Sequence, residues 1–171
     1  LRSRFSGGTF RLEFYSPSEI TEIIKRSAKI LKIELDEAAA TEIAKRSRFT
    51  PRIANQFLKR CRDLAQLRQQ NINHQVSREA LALMGVDELG LSEGDRKMLS
   101  VMIEKFNGGP VGVSTIATAT HEEEATIEEV HEPYLIQLGM LERTPRGRQA
   151  TKKAYEHLGF DYPADKQGKL I

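Results

Sequence analysis

The chain holds one cysteine and no tryptophan, and aromatic residues make up only 6% of its 171 positions. A single thiol, Cys61, forms no internal disulfide, which excludes a disulfide-stapled scaffold and points to a reducing cytoplasm. No apolar run approaches the roughly 20 residues that a membrane-spanning helix needs, and no secretory signal opens the chain. Two absences bear on chemistry. No Gly-x-x-x-x-Gly-Lys-Ser/Thr loop occurs, so nothing here cradles a triphosphate unaided. No acidic cluster follows a strand to hold magnesium. A strong charge of either sign is missing too: the net is +2. That net hides an asymmetry. Residues 1–68 carry 15 Lys/Arg against 8 Asp/Glu, and residues 69–171 carry 11 against 16. Any polyanion contact in the second half therefore has to be local, because exposed charges are screened beyond about 8–10 Å.

What is present is an ordinary globular composition, 39% hydrophobic and 29% charged, with room for one or two small domains. The most informative stretch is 140–151. Met140 and Leu141 start an apolar strand, Pro145 and Gly147 supply a turn, and Arg143, Arg146 and Arg148 crowd around it. Turn residues provide the backbone angles and arginines provide planar forks of donors for phosphate. Such a β-ribbon after a helical segment reads as the wing of a winged helix-turn-helix.

Helix signals dominate elsewhere. Ser16, Pro17 and Glu19 form a helix start with a capping-box pattern, followed by Ile20, Ile23, Ile24, Ala28 and Leu31 at helical spacing. Asp36 caps a second helix with Ala40, Ile43 and Ala44 inward. Thr50-Pro51 opens a third with Ile53, Ala54, Phe57, Leu58, Cys61 and Ala65 on one face, so Cys61 reads as a buried structural thiol. After a polar break at Gln69-Gln70-Asn71, Ser77 is expected to cap a short fourth helix ending near Gly85. Residues 87–91 read as a linker. Ser92 and Asp95 then start a helix carrying Leu99, Met102, Ile103 and Phe106, stopped by Gly108-Gly109-Pro110. Val111 and Val113 suit one short strand, and Ser114 a helix cap. A further helix from about 123 to 138 turns Ile127, Val130, Leu135 and Leu138 inward, with Pro133 expected to kink it. A last helix spans about 152–158, and the tail from Asp161 reads as polar and mobile. Before Ser16, residues 9–15 alternate loosely, as a strand does.

Several of these pieces together resemble the RuvB family, hexameric AAA+ motors of Holliday-junction branch migration. The carriers are Leu1-Arg2-Ser3-Arg4-Phe5, Arg11-Leu12-Glu13-Phe14-Tyr15, Thr50-Pro51-Arg52-Ile53-Ala54-Asn55, Phe106-Asn107-Gly108-Gly109-Pro110-Val111-Gly112, Glu132-Pro133-Tyr134-Leu135-Ile136-Gln137 and Arg143-Thr144-Pro145-Arg146-Gly147-Arg148. The resemblance implies a mainly α fold: the tail end of an AAA+ core over 1–15, a helical lid bundle over 16–86, and a winged-helix domain over 92–160 with a small β-ribbon wing. It implies an ATP-dependent DNA helicase whose phosphate loop and magnesium site lie outside this chain. The chain then reads as the C-terminal portion of that motor, inactive alone and with no nucleotide expected bound to it. Implied partners are double-stranded DNA of junction arms, the junction-binding protein RuvA, the resolvase RuvC, and further copies of the motor as a hexamer.

Site residues follow in the same terms. Arg52 lies in the first turn of a helix, beside the positive end of its dipole, an arrangement suited to an anion. By resemblance it is the sensor of the nucleotide's terminal phosphates. The family usually has glycine where Phe49 stands. Arg2 and Arg4, two residues apart on an extended segment, share a side, and resemblance makes them candidates for the catalytic finger reaching a neighbouring subunit's ATP. Arg4 and Tyr15 are expected near the bound nucleotide. Arg143, Arg146 and Arg148 are the expected DNA contacts, made to phosphate because a branch-migration motor moves along any sequence. No metal site is expected: His121, Glu124, Glu128, His131 and Glu132 look like ligands by spacing, yet structural zinc wants thiolates, and a solvated acidic face is the simpler reading. Six glutamates between 122 and 132 make the helix expected over 123–138, the one that would read bases in a base-reading relative, repel phosphate, and Glu124 stands where the family often has arginine. Rival readings are a winged-helix regulator and a clamp-loader or replication-initiator subunit. The first wants a reading helix rich in Arg, Asn or Gln, and the wing disfavours the second.

Overall fold

A computed structural model describes residues 14–163, which fall into two compact units divided at Gly90 and Leu91. The expected arginines Arg2 and Arg4, and most of the expected strand before Ser16, lie outside the described residues. Phe14 and Tyr15 themselves adopt no strand.

The first unit packs four helices among its described residues: α1 (Pro17–Ile30), α2 (Glu37–Arg46), α3 (Pro51–Leu67) and α4 (His74–Leu83). The capping box at Ser16 forms as the sequence predicts. The Glu19 N–H donates to Ser16 Oγ, and Glu19 Oε2 accepts from the Ser16 N–H at 2.7 Å. Asp36 caps α2, accepting from the Ala39 N–H at 2.6 Å. Ile20, Ile24, Ile43, Leu58, Ile72 and Leu81 are fully buried together, each such side chain contributing about 1.5–3 kcal/mol. Cys61 is buried among them, and desolvation pushes its thiol up to about 12, so it packs and does not react. Two expectations fail here. Leu31 is not inward: α1 stops at Ile30, Leu31 is its C-cap and stays 41% exposed, because the chain then turns through Lys32 at φ 54°. Ser77 is not a cap. Asn73, four residues earlier, accepts from the Val76 N–H at 2.9 Å. That leaves Ser77 buried inside α4, donating to the His74 carbonyl.

The second unit is a winged helix: α5 (Glu93–Phe106), α6 (Val113–Thr120), α7 (Glu124–Thr126), a π turn (Ile127–His131), α8 (Glu132–Gln137), β1 (Leu141–Thr144), β2 (Gly147–Ala150) and α9 (Lys152–Leu158). Met98, Leu99, Met102, Ile116, Ile127, Leu135, Met140, Leu141 and Tyr155 form its interior. The strands pair antiparallel with Leu141 opposite Ala150 and Thr144 opposite Gly147. Val111 adds a bridge to Arg148, with N–O distances of 2.9 and 2.8 Å. Only Val111 makes that strand contact. Val113 already starts α6 behind an N-cap at Gly112, so the expected cap at Ser114 is corrected as well.

The single helix expected over 123–138 is interrupted. Pro133 has no N–H and its ring collides with the carbonyl four residues back in a regular helix. The chain widens just before it: the Glu132 N–H donates to Ile127 O, a bond five residues long. This π turn shifts the faces. Ile127, His131 and Glu132 point inward while Val130, expected in the core, is 53% exposed. The tail also differs at its start, since Tyr162 meets Tyr155 edge-on with ring centres 5.1 Å apart.

Candidate nucleic-acid interface

The wing is built from a two-residue turn. Pro145 presets its first corner, and Gly147 adopts φ 131°, a left-handed angle that favours glycine. Thr144 Oγ1 donates to Gly147 O at 2.8 Å and accepts from the Arg146 N–H at 3.3 Å, tying off the loop. Glycine is required at 147 for a second reason: a Cβ there would stand 2.5 Å from Val111 O.

The register sets Arg143 directly opposite Arg148, so both side chains share one face. They converge on a single carboxylate. Arg143 donates from Nε to Glu132 Oε2 at 2.5 Å, and its Nη2 stands 2.5 Å from the same oxygen as an ion pair. Arg148 donates from Nε to Glu132 Oε1 at 2.6 Å and from Nη2 to Glu128 Oε1 at 2.6 Å. Glu132 is fully buried, while the Arg143 side chain remains 54% exposed and that of Arg148 16%. The hydrogen bond to Glu132 raises the Arg148 pKa above its ordinary value against the opposing effect of burial, so this group stays charged. Arg146 sits exposed at the tip, with no side-chain partner among the described residues. Of the neighbouring lysines, Lys153 donates to Leu138 O at 2.7 Å and Lys152 lies 3.6 Å from Glu156.

Behind Glu132 stands a second buried pair. His131 Nδ1 lies 2.7 Å from Asp95 Oδ1. The other oxygen of Asp95 accepts from Ser92 N–H and Ser92 Oγ, both at 2.6 Å, as the capping box of α5. The expectation of a solvated acidic face is therefore corrected for His131 and Glu132. Buried acids of this kind have to be paired, and the pairs here fasten the π turn and α8 to α5 on one side and to the wing on the other. Sequence reasoning missed Glu132, Asp95 and His131 as organisers. The available signal was Glu132 directly before a helix-interior proline, where a π turn rotates the face.

The expected nucleotide contacts lie in the first unit. Arg52 is the second residue of α3, exposed, with no ion pair among the described residues. Phe49 just ahead holds φ 54°, an angle a glycine takes without steric cost. Thr50 makes no side-chain cap to α3. Its hydroxyl donates to Arg48 O instead. Tyr15 is 46% exposed next to the α1 cap. The structure shows no hydrogen bond joining Tyr15 and Arg52.

Helical bundle, then helix-turn-helix, then a two-stranded wing with paired arginines define the class: an AAA-type lid followed by a winged-helix DNA-binding domain. Residues 15–87 match the model of the RuvB AAA lid domain, and residues 88–159 that of the RuvB C-terminal winged helix domain. The chain belongs to the RuvB family. It is 54% identical over 171 residues to the Holliday junction branch migration complex subunit RuvB of Trichormus variabilis, covering 99% of this chain and 46% of that protein. With the same subunit of Chloroflexus aurantiacus it shares 56% identity over 164 residues, 95% of this chain and 47% of the relative. The solved structure of the Thermotoga maritima RuvB Holliday junction branch migration motor superposes with a TM-score of 0.89 at 47% identity, over 95% of this chain and 54% of that one. The chain thus spans about half the length of the curated relatives it matches.

Proposed function

We propose that the chain is the lid and DNA-binding portion of an ATP-dependent DNA helicase that drives Holliday-junction branch migration in recombination and repair. Its protein partners in that machine are RuvA, RuvC and further copies of the motor in a hexamer, working in the cytoplasm. The observation that carries the reading is the wing: three arginines on a ribbon, beside a helix whose exposed face is acidic. A helix bearing Glu128 and Glu129 outward is unsuited to lie along base edges in a groove, whereas the wing's guanidiniums suit phosphate. Phosphate contacts hold register without reading sequence, as a motor that moves along any duplex requires. The same feature argues against a sequence-reading regulator.

ATP and magnesium would be held by a phosphate loop outside this chain. The residues here that fit a supporting role are Arg52, exposed in the first turn of α3 with no ion pair among the described residues, and Tyr15, exposed beside the α1 cap; the family resemblance adds Arg4 for the same nucleotide and Arg2 or Arg4 for a neighbouring subunit's. Bound ATP supplies the driving hydrolysis. Arg52 places a planar cation where the helix dipole also favours an anion and so ties lid position to nucleotide state.

The test is on the wing. Changing Arg143 and Arg146 together to alanine should lower the slope of log affinity against log salt by about two units, equally for unrelated duplexes. An unchanged slope with the fold intact would place the DNA contact elsewhere.

A further inference from the structure

We infer that Glu132 is the positioning residue of the wing: its buried carboxylate holds Arg143 and Arg148 side by side so that their remaining donors face a DNA phosphate. The inference rests on the duplex-binding reading above and deepens it.

Arg143 and Arg148 are cross-strand neighbours, and like charges so placed repel one another. Left alone, two long cations at these positions would splay apart. Glu132 removes the repulsion by accepting from both, one oxygen to each arginine. The carboxylate is itself held in place. Its backbone N–H is engaged by the π turn, and its neighbour His131 is pinned to Asp95 at 2.7 Å.

Each guanidinium keeps donors in reserve. An arginine has five N–H groups in a fixed fork. Arg143 spends Nε and Nη2 on Glu132 and leaves Nη1 unspent, with its side chain 54% exposed. Arg148 spends Nε on Glu132 and Nη2 on Glu128, again leaving Nη1. Glu128, unlike Glu132, is 46% exposed. It is a surface acid at the outer edge of the site, with a carboxylate that an incoming phosphate replaces on Arg148.

The inference reverses the sign that charge alone predicts. Removing an acid from a DNA-binding surface ordinarily tightens binding, since phosphate dominates affinity. Removing this one should loosen it. In the 171-residue chain, Glu132→Gln keeps the shape and discards the charge. The expected result is a duplex affinity lowered about tenfold or more near 0.1 M salt, a salt slope reduced by up to about two units, and a retained helical circular dichroism signal. Glu128→Gln removes the same charge from the exposed rim, together with the carboxylate that competes for Arg148, and should tighten binding. If Glu132→Gln folds and binds as tightly as the wild type or more tightly, the inference is overturned. If the wild type itself shows no salt-dependent duplex binding, the functional reading fails first, and with it this one.

A second measurement needs no variant. In the wild-type chain the Nε–H protons of Arg143 and Arg148 should exchange with water more slowly than that of Arg146, by nuclear magnetic resonance. Equal exchange at all three arginines contradicts the clasp even where Glu132→Gln fails to fold.

Discussion

Gly109→Val should cost the second unit about 3–5 kcal/mol, in the range reserved for changes that break a specific structural requirement. Gly109 holds φ 91°, an angle closed to a β-branched side chain, and a Cβ there would stand 2.3 Å from Arg148 O and 3.2 Å from Gln149 Cα. Both obstacles are backbone, so neither moves aside by a rotamer change. The displaced atoms belong to the rung that joins Val111 to Arg148, so the strain falls directly on the wing. Gly108 is constrained alike, since its Cβ would meet Tyr155 Oη at 2.2 Å. Hydrogen exchange with mass spectrometry should show lost protection in peptides covering 141–150, together with a lower melting temperature. Wild-type protection in Gly109→Val would mean that the ribbon does not pack against the 108–111 segment as described.

Asp95→Ala should be similarly severe, about 3–5 kcal/mol, the cost of removing one partner from a buried polar pair. Asp95 is fully buried. Its loss deprives the Ser92 N–H and hydroxyl of their acceptor and leaves His131 without its partner at 2.7 Å. A helix cap alone is worth about 0.5–2 kcal/mol, so a fall confined to that size would show that the His131 contact contributes little. Chemical denaturation of Asp95→Ala beside Ser92→Ala separates the two, because the serine variant removes only the cap.

What is legible in the sequence and what is not divide along a physical line. Local signals transferred well. Ser16, Asp36 and Ser92 cap their helices as expected, the stripe through Ala54, Phe57, Leu58, Cys61 and Ala65 is buried with Ile53 half-buried at its edge, and the ribbon turns at Pro145 as expected, with Arg146 rather than Gly147 as the second turn residue. Each of these is decided by neighbours within four residues. The caps expected at Ser77 and Ser114 fall instead on Asn73 and Gly112, because the packing of the following helix decides where the first turn begins. The departures that matter for the site are non-local. Pro133 signals a disturbance in the sequence, but its form, a π turn that carries His131 and Glu132 inward, depends on what awaits them. Asp95 lies 36 residues before His131, and Arg148 lies 16 after Glu132. No periodicity joins such partners. The charge pattern told half of the story: it marked the arginines as a local cluster and the glutamates as repelling phosphate, and it could not show that one glutamate holds two of those arginines together.

Under the proposed function, the winged helix grips duplex DNA through phosphates and reads no bases. The most direct measurement is the affinity of the wild-type chain for two duplexes of unrelated sequence, each followed across salt concentration. The expected result is equal affinities within about twofold, and a common linear slope of about −2 to −3, for the three arginines of the wing. Affinities differing by more than about tenfold between the duplexes, or a slope near zero, would contradict it.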